Sequence, residues 1–318
     1  MHKEPLIYVA GHRGLVGSAI VRAVERSGHP VLILRTREEL DLRDQRATEK
    51  FFREHQPEYV YLAAARVGGI LANSTRPADF IRDNLQVQTN VIDSAWRHGT
   101  KKLVFLGSSC IYPKLAPQPI REEHLLTGPL EPTNDAYAIA KIAGIRMAQA
   151  YRQQYGFAAI SLMPTNLYGP GDEFDLEKAH VLPALIRRFH EAKLQAAAAV
   201  TVWGSGSPRR EFLHVDDLAE AAVLLMNVYD SGEIVNVGAG DDITIRDLAQ
   251  MIRRIVGYTG EIVFDSSKPD GTPRKLIDSS RIQALGWRPT ISLDDGIRAT
   301  YEWYVQSLAV AAGGKAVA

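Results

Sequence analysis

The sequence predicts a doubly wound α/β fold: a parallel sheet covered by helices on both faces, joined by a second, smaller α/β unit. Three observations carry this. Short, continuously apolar runs alternate with amphipathic segments through the first half of the chain, as they do where strands are buried on both faces. The first such run goes straight into a glycine-rich loop that opens a helix-like stretch. Beyond Pro164 the alternation gives way to Gly, Pro and acidic residues before further helical patterns appear, which marks a change of unit. At 318 residues the chain is long enough for two units sharing a cleft.

The elements follow in order. Leu6–Ala10 (LIYVA) is a first core strand, and GSAIVRAVERSG after it has helical spacing with a stop at Gly28. Val31–Arg35 (VLILR) is a second strand and QRATEKFFREHQ a second helix. Tyr59–Ala65 (YVYLAAA) is a third strand, followed by a long helix through IRDNLQVQTNVIDSAWRHG. LVFLGSS and Ala158–Pro164 (AAISLMP) are strands that flank the helical YAIAKIAGIRMAQAYRQQYG. TNLYGPGDEFDLEK reads as loop and HVLPALIRRFHEA as helix, while IVNVG returns as a last strand of the first sheet. TIRDLAQMIRRIVG, EIVFD and LDDGIRATYEWYVQ supply the smaller unit, and the small-residue tail AVAAGGKAVA is expected to fray. The expected division is residues 1–165 with about 211–240 in the first unit, and about 166–210 with 241–318 in the second.

Composition bounds the function. Lys and Arg number 37 and so do Asp and Glu, so no overall field draws the chain to nucleic acid or a membrane surface. No apolar run approaches the roughly 18 residues of a membrane span, and the N-terminal run is a core strand, not a signal peptide. One cysteine, Cys110, rules out an internal disulfide and fits a reducing compartment, the cytoplasm. No ligand set for a metal is apparent.

YVAGHRGLVGSAI places glycines at 11, 14 and 17 between a strand and a helix. Gly11 permits the tight turn, Gly14 lets a pyrophosphate approach the backbone, and Gly17 lets the helix pack on the strand. This predicts a dinucleotide site on a Rossmann sheet. At the end of the second strand an NAD site places Asp or Glu on the ribose. Here LRTREEL offers Arg35 and Arg37, with Arg13 in the glycine loop, and guanidinium groups suit a 2′-phosphate. NADP(H) is therefore expected over NAD(H). The alternative is that these arginines are solvated charges and that Glu38 or Glu39 takes the ribose. Asp41 and Leu42 just beyond are candidates to bracket the adenine.

In NDAYAIAKIAG, Tyr137 and Lys141 lie four residues apart on one helix face. A tyrosine titrates near ~10, and an ammonium one turn away favours its phenolate. Ser108, at the end of the preceding strand, is placed to hydrogen-bond a substrate oxygen. Taken alone, Tyr-x-x-x-Lys is often a surface pair; here it follows a Ser-Ser strand end downstream of the glycine loop.

Gly11, Gly14, Gly17, Ser108, Tyr137 and Lys141 together resemble the extended short-chain dehydrogenase/reductase family, over nearly the whole chain. Members of that family mostly act on nucleotide-linked sugars. The resemblance implies further cofactor contacts from His12, Arg13, Leu15, Val16, Arg37, Asp41, Leu42, Leu106, Gly107, Ser109, Pro164, Thr165, Asn166, Leu167 and His180, with Lys141 on the nicotinamide ribose. Dehydratases of the family carry an Asp-Glu pair where this chain has SSCIYP. The runs GHRGLVGSAI, AAARVGGI, FLGSSCIYPKLA, EPTNDAYAIAKIAGI, MPTNLYGPGD, VWGSG, REFLHVDD and KPDGTPRK resemble the branch that epimerises C3 and C5 and reduces C4 of GDP-4-keto-6-deoxy-D-mannose. For that chemistry the resemblance implies Cys110 and His180 as an acid–base pair, here Cys110 as base and His180 as acid. Left to itself, a lone Cys is most often an apolar filler, and His180 a helix N-terminal residue.

A diphosphate calls for arginine or lysine. Arg188, Arg210 and Lys275 are the candidates, and the resemblance adds Trp203 and Asp270 as substrate contacts. Arg187 and Arg188 are adjacent on a helix, so one of them points away. The family's long paired helices imply a homodimer through IRDNLQVQTNVIDSAW and YAIAKIAGIRMAQAYRQQ.

Overall fold

The computed structural model describes residues 5–28, 32–268 and 270–313. In chain order the first unit runs β1 (Ile7–Ala10), α1 (Leu15–Arg26), β2 (Leu32–Ile33), α2 (Gln45–His55), β3 (Tyr59–Leu62), α3 (Ile70–Thr75), α4 (Pro77–Arg97), β4 (Lys102–Leu106), α5 (Asp135–Tyr155) and β5 (Ala158–Pro164). The chain continues β6 (Asn166–Tyr168), α6 (Val181–Leu194), β7 (Ala199–Trp203), β8 (Arg209–Arg210), β9 (Phe212–His214), α7 (Val215–Val228), β10 (Val235–Val237), β11 (Ile243–Thr244), α8 (Ile245–Val256), β12 (Glu261–Asp265), β13 (Arg274–Lys275), α9 (Ser280–Ala284) and α10 (Leu293–Gly313).

The main sheet has the order β10-β5-β4-β3-β1-β2, and every pairing is parallel. Its strands show the two-residue period of a sheet buried on both sides. Tyr8, Leu103 and Phe105 face one core with Phe51, Phe52, Ile92 and Ile145 from α2, α4 and α5. Ile7, Val9 and Val104 face the other, with Ile20 from α1 and Leu218 and Leu225 from α7. From β1 the chain goes to β2 on one side and to β3 on the other. The crevice outside the carboxyl ends of β1 and β3 is therefore the topological switch point, where such sheets bind ligands.

The smaller unit has its own core, with Leu185 and Phe189 of α6, Ile252 of α8, and Ile297 and Tyr304 of α10. Three short sheets serve it: β7 with β12, β6 with β9, and β11-β8-β13.

The structure departs from the sequence expectations in five places. The second strand ends at Ile33, before Arg35, because Thr36 starts a turn in which the Leu40 amide reaches the Thr36 carbonyl at 2.9 Å; Val31 lies outside the described residues. The third strand ends at Leu62, and Ala63–Ala65 leave the sheet beside Gly11. Asn166–Tyr168, expected as loop, pair with β9 as a short parallel strand. The stretch expected wholly in the second unit returns to the first: Ile277 bridges to Ile120, and Ile282 and Trp287 are buried in the core beneath α1 and α7. Apolar residues there follow the larger sheet, not the linear division. The expected frayed tail is helical as far as Gly313; 314–318 lie outside the described residues. Among the described residues no helix is long and apolar enough to cross a membrane, and no group of three or more His, Cys, Asp or Glu is placed to hold a metal.

Candidate active site

The glycine loop meets β3 at the switch point. Gly11 has φ +84°, and a Cβ there would stand 2.7 Å from the Ala64 nitrogen, so both the conformation and the space require glycine. A Cβ on Gly17 would lie 2.1 Å from the Gly11 oxygen, so the start of α1 packs on the loop with no room for a side chain. At Gly14 the nearest atom is 3.5 Å away, which leaves the backbone approachable. Gly14 caps α1 without a side-chain bond, and the first turn carries no acidic residue, so the free amides face outward with positive polarity. His12 Nδ1 is buried and has no partner among the described residues. Burial, then the charge of Arg13, holds the His12 ring below its ordinary value. These residues fit a dinucleotide pyrophosphate.

At the corner beyond β2, Glu39 and Asp41 are engaged while Glu38 is exposed. Glu39 accepts from the Thr36 amide at 2.7 Å, and Asp41 accepts from Arg43 Nη2 at 2.5 Å. Arg35 turns back, its Nη1 donating to the Leu34 carbonyl at 2.9 Å and its Cζ 6.0 Å over Phe51. Arg37 remains on the surface, 4.0 Å from Asp41, and Arg13 is exposed. Leu42, expected beside an adenine, packs in the core with Phe51 and Phe52.

The strand-end motif builds the reactive corner. β4 finishes at Leu106, and Ser108 caps a single 3-10 turn over Ser109–Ile111, its Oγ accepting the Cys110 amide at 3.2 Å. That turn presents the thiol beside the Tyr137 helix. Lys141, 3 % exposed, donates to the Leu106 carbonyl at 2.7 Å and stands 5.9 Å from the Tyr137 ring centre. Burial pushes Lys141 down to about 7. Tyr137 departs from expectation: burial raises its phenol above the ordinary value, the nearby Cys110 charge adds to this, and a Ser108 hydrogen bond opposes it. The ammonium one turn away is directed at Leu106, so in the protein alone the phenol holds its proton.

Cys110 is the centre of the cluster. Lys275 Nζ and Asn134 Nδ2 each lie 3.4 Å from its sulfur. Burial pushes the thiol up, but the Lys275 charge and hydrogen bonds from Ser108, Lys275 and Asn134 outweigh it and leave it below its ordinary value. His180, at the head of α6, is exposed at the surface, with protein packed around the imidazole on its inner side. That crowding, then the Lys275 charge, lowers its value, so one ammonium acts on both groups. A cavity lined by Cys110, Lys114, Glu131, Asn134, Thr272 and Lys275 opens beside the thiol.

Lys275, expected as a diphosphate ligand, has its ammonium beside the thiol. Asn134 was not anticipated. Its signal was local, because an Asn at the head of a helix ordinarily caps it, and Asn134 heads α5 without making that bond. Thr165 and Asn166 both donate to the Glu211 carbonyl, at 3.3 and 2.8 Å, beside the ends of β5 and β10, while Pro164 ends β5 and Leu167 packs on the core.

The residues expected to contact substrate lie in the second unit. Arg187 bonds Glu191 at 2.7 Å, whereas Arg188 reaches the Thr201 carbonyl at 3.1 Å and lies 5.7 Å over Trp203; the adjacent pair diverges as helix geometry requires. Trp203 is 54 % exposed. Asp270 accepts from the Ser205 amide at 2.7 Å, at the end of the Trp203 strand. Burial lowers the Arg210 guanidinium, partly offset by Glu131, Asp270 and Cys110.

Residues 7–238 match the NAD dependent epimerase/dehydratase family. The chain belongs to that family. Its members use a nicotinamide dinucleotide, which the glycine loop fits. Among relatives within this epimerase/dehydratase family, a putative GDP-L-fucose synthase 2 of Arabidopsis thaliana is 63 % identical over 308 residues, covering 97 % of this chain and 94 % of that one. The GDP-L-fucose synthase of Escherichia coli strain K12 is 55 % identical over 310 residues, covering 95 % and 97 %. A GDP-L-fucose synthetase from Naegleria fowleri bound to NADP has a TM-score of 0.89 at 29 % identity, covering 97 % of this chain and 96 % of that one.

Proposed function

We propose that this enzyme is an NADPH-dependent epimerase and reductase that converts GDP-4-keto-6-deoxy-D-mannose to GDP-L-fucose. The observation that carries this reading is the thiol of Cys110, with Lys275 and Asn134 each 3.4 Å from its sulfur, beside Tyr137. A keto group at C4 acidifies the hydrogens on C3 and C5. Inverting either centre needs a base on one face of the ring and an acid on the other. Cys110, lowered by Lys275, takes the proton, and His180 returns one from the opposite face. Ser108 and Tyr137 donate to O4 and stabilise the enolate. Tyr137 keeps its proton through both inversions and gives it to O4 as C4 is reduced.

The dinucleotide, when bound, supplies the hydride for C4. Gly11, His12, Arg13, Gly14, Leu15, Val16 and Gly17 would hold its pyrophosphate end, Arg37 its 2′-phosphate, and Lys141 its nicotinamide ribose. Preference for NADP(H) is supported by the engaged carboxylates and surface arginines of the corner after β2. Arg188, Trp203, Arg210 and Asp270 would hold the GDP moiety.

We also propose a homodimer through α4 and α5. They pack side by side, with Tyr151 donating to Asp93 at 2.8 Å, and α5 leaves Ile139 and Tyr155 exposed. A working thiol suits a reducing compartment, which supports a cytoplasmic setting.

The test is NADPH oxidation with GDP-4-keto-6-deoxy-D-mannose, the product sugar being identified by NMR. NADPH consumption with GDP-L-fucose formed supports the whole reading. Consumption that yields the uninverted 6-deoxy sugar removes Cys110 and His180 from their roles. No consumption, with NAD already bound to the purified protein, overturns the reading in favour of a nucleotide-sugar epimerase that recycles its hydride.

A further inference from the structure

Behind the site lies a charged cluster that the chemistry above leaves unused. β8 and β13 are two-residue strands paired in parallel, Arg209 opposite Arg274 and Arg210 opposite Lys275. Successive side chains of a strand take opposite faces. Lys275 directs its Nζ at the Cys110 sulfur, and Arg210 feels Glu131, Asp270 and Cys110, so these two share the face toward the site. Arg209 and Arg274 share the other face, and both close on one carboxylate. Arg209 Nε is 2.5 Å from Asp242 Oδ1, and Arg274 Nε is 2.5 Å from Asp242 Oδ2. Arg209 also donates Nη2 to the Asp242 carbonyl at 2.6 Å. The Asp242 side chain is 2 % exposed. It immediately precedes β11, which pairs antiparallel with β8, so the carboxylate is anchored to the third strand of the same sheet.

Four cations thus occupy four neighbouring positions on two very short strands. Like charges directly opposite one another destabilise a strand pair. The backbone resists only with bonds such as Arg209 N to the Pro273 carbonyl at 2.8 Å and Glu211 N to the Lys275 carbonyl at 3.3 Å. On the rear face Asp242 converts the repulsion into a double ion pair.

We propose that Asp242 is a positioning residue for the thiol: by clamping Arg209 to Arg274 it sets β13 against β8 and so keeps the Lys275 ammonium on Cys110. The proposal rests on the roles of Lys275 and Cys110 given above, so its test reads the thiol directly, without turnover. Cys110 is the only cysteine of the chain, and alkylation reports it alone. The charged and titratable groups around it are Lys275, Tyr137 and Arg210, with Lys114 and Glu131 lining the cavity beside it and His180 under the same Lys275 charge, while Asn134 and Ser108 supply hydrogen bonds.

The experiment is the rate of iodoacetamide alkylation against pH in the full-length protein. Lys275→Met sets the scale by raising the inflection. For Asp242→Asn two effects predict opposite signs. Losing a carboxylate makes the region more positive, which by charge alone lowers the inflection and speeds alkylation. Losing the clamp lets Lys275 drift, which raises the inflection. We expect the rise, about half a pH unit, read as alkylation about threefold slower at pH 7. Asp242→Glu restores part of the rate, and Asp242→Asn adds little to Lys275→Met because both act through one contact. Should Asp242→Asn fail to fold, Arg209→Met/Asp242→Asn keeps the net charge and leaves no like pair on that face; the same rise is expected. An inflection unmoved or lowered in the folded Asp242 variant, while Lys275→Met raises it, overturns this proposal alone. If Lys275→Met itself leaves the inflection unmoved, the role given to Lys275 fails, and the proposal with it.

Discussion

The glycine loop after β1 and the thiol after β4 stand at the same edge of one sheet, with β3 between their strands, yet they are made differently. The loop is backbone: its function needs side chains to be missing at Gly11 and Gly17, and consecutive residues specify it. The thiol corner is made of side chains from remote places. Asn134 is 24 residues from Cys110 and Lys275 is 165 residues from it. A site of the first kind fails when one atom is added. A site of the second kind loses its parts one by one, and each loss reads out separately.

The largest effect belongs to the loop. In Gly17→Ala the new methyl would meet the Gly11 oxygen at 2.1 Å, well inside any tolerated contact, and both atoms are backbone or nearly so. The loop must move, and with it the amides that face the pyrophosphate. Binding of NADPH, followed by its fluorescence, is expected to be lost in a protein whose remaining fold melts cooperatively. Binding within a few-fold of wild type would mean that the loop is far softer than its packing implies.

Cys110→Ala tests the opposite behaviour. The dinucleotide should bind as before, while deuterium from solvent no longer enters C3 and C5 of the sugar, a loss of roughly 10²–10⁴-fold for a missing base. Deuterium entry at the wild-type rate would transfer the base to another group. The contrast also explains what could be read from the sequence. Tyr137 and Lys141 are one helical turn apart and Ser108 ends a recognisable strand, so their proximity is local and legible. The parallel sheet was legible for the same reason, since buried strands are short apolar runs. Lys275 looked like a phosphate ligand because nothing near it in the chain names Cys110. The short strands β6, β8 and β13 were equally illegible, because two or three residues carry no period and form only when the larger units bring them together.

Lys275→Met should sharpen the comparison by an intermediate amount. Burial raises the Cys110 thiol and the lysine charge is the largest opposing cause. With the charge gone, the thiol rises above its present value, and the rate of C3 and C5 exchange at pH 7 falls by about tenfold, one pH unit of thiolate. The sign distinguishes this from a structural defect. The base works as thiolate, so exchange climbs with pH through the thiol value. A variant whose thiol is merely raised recovers as the pH is raised, whereas a distorted one does not. Loss at pH 7 with no recovery by pH 9 would leave Lys275 as scaffold only.

The smallest effect returns to the loop end, at the part of it that is not backbone. Arg35 folds onto Leu34 and Phe51, Glu39 is engaged by Thr36, and Asp41 by Arg43. Arg37 is left with one distant partner and a side chain 64 % exposed. An exposed guanidinium contributes little until a phosphate arrives, and then it contributes a solvent-screened, charge-assisted pair, about 1 kcal/mol. Arg37→Ala should therefore weaken NADPH by about fivefold and leave NADH unchanged, with no change in melting temperature. Equal weakening of both would make Arg37 a general attractor of the pyrophosphate. No weakening of either would pass the 2′-phosphate to another arginine of the corner, Arg13 first. Because this contact is a side chain on an otherwise backbone site, its loss should resemble the thiol end: graded, specific and separable from the fold.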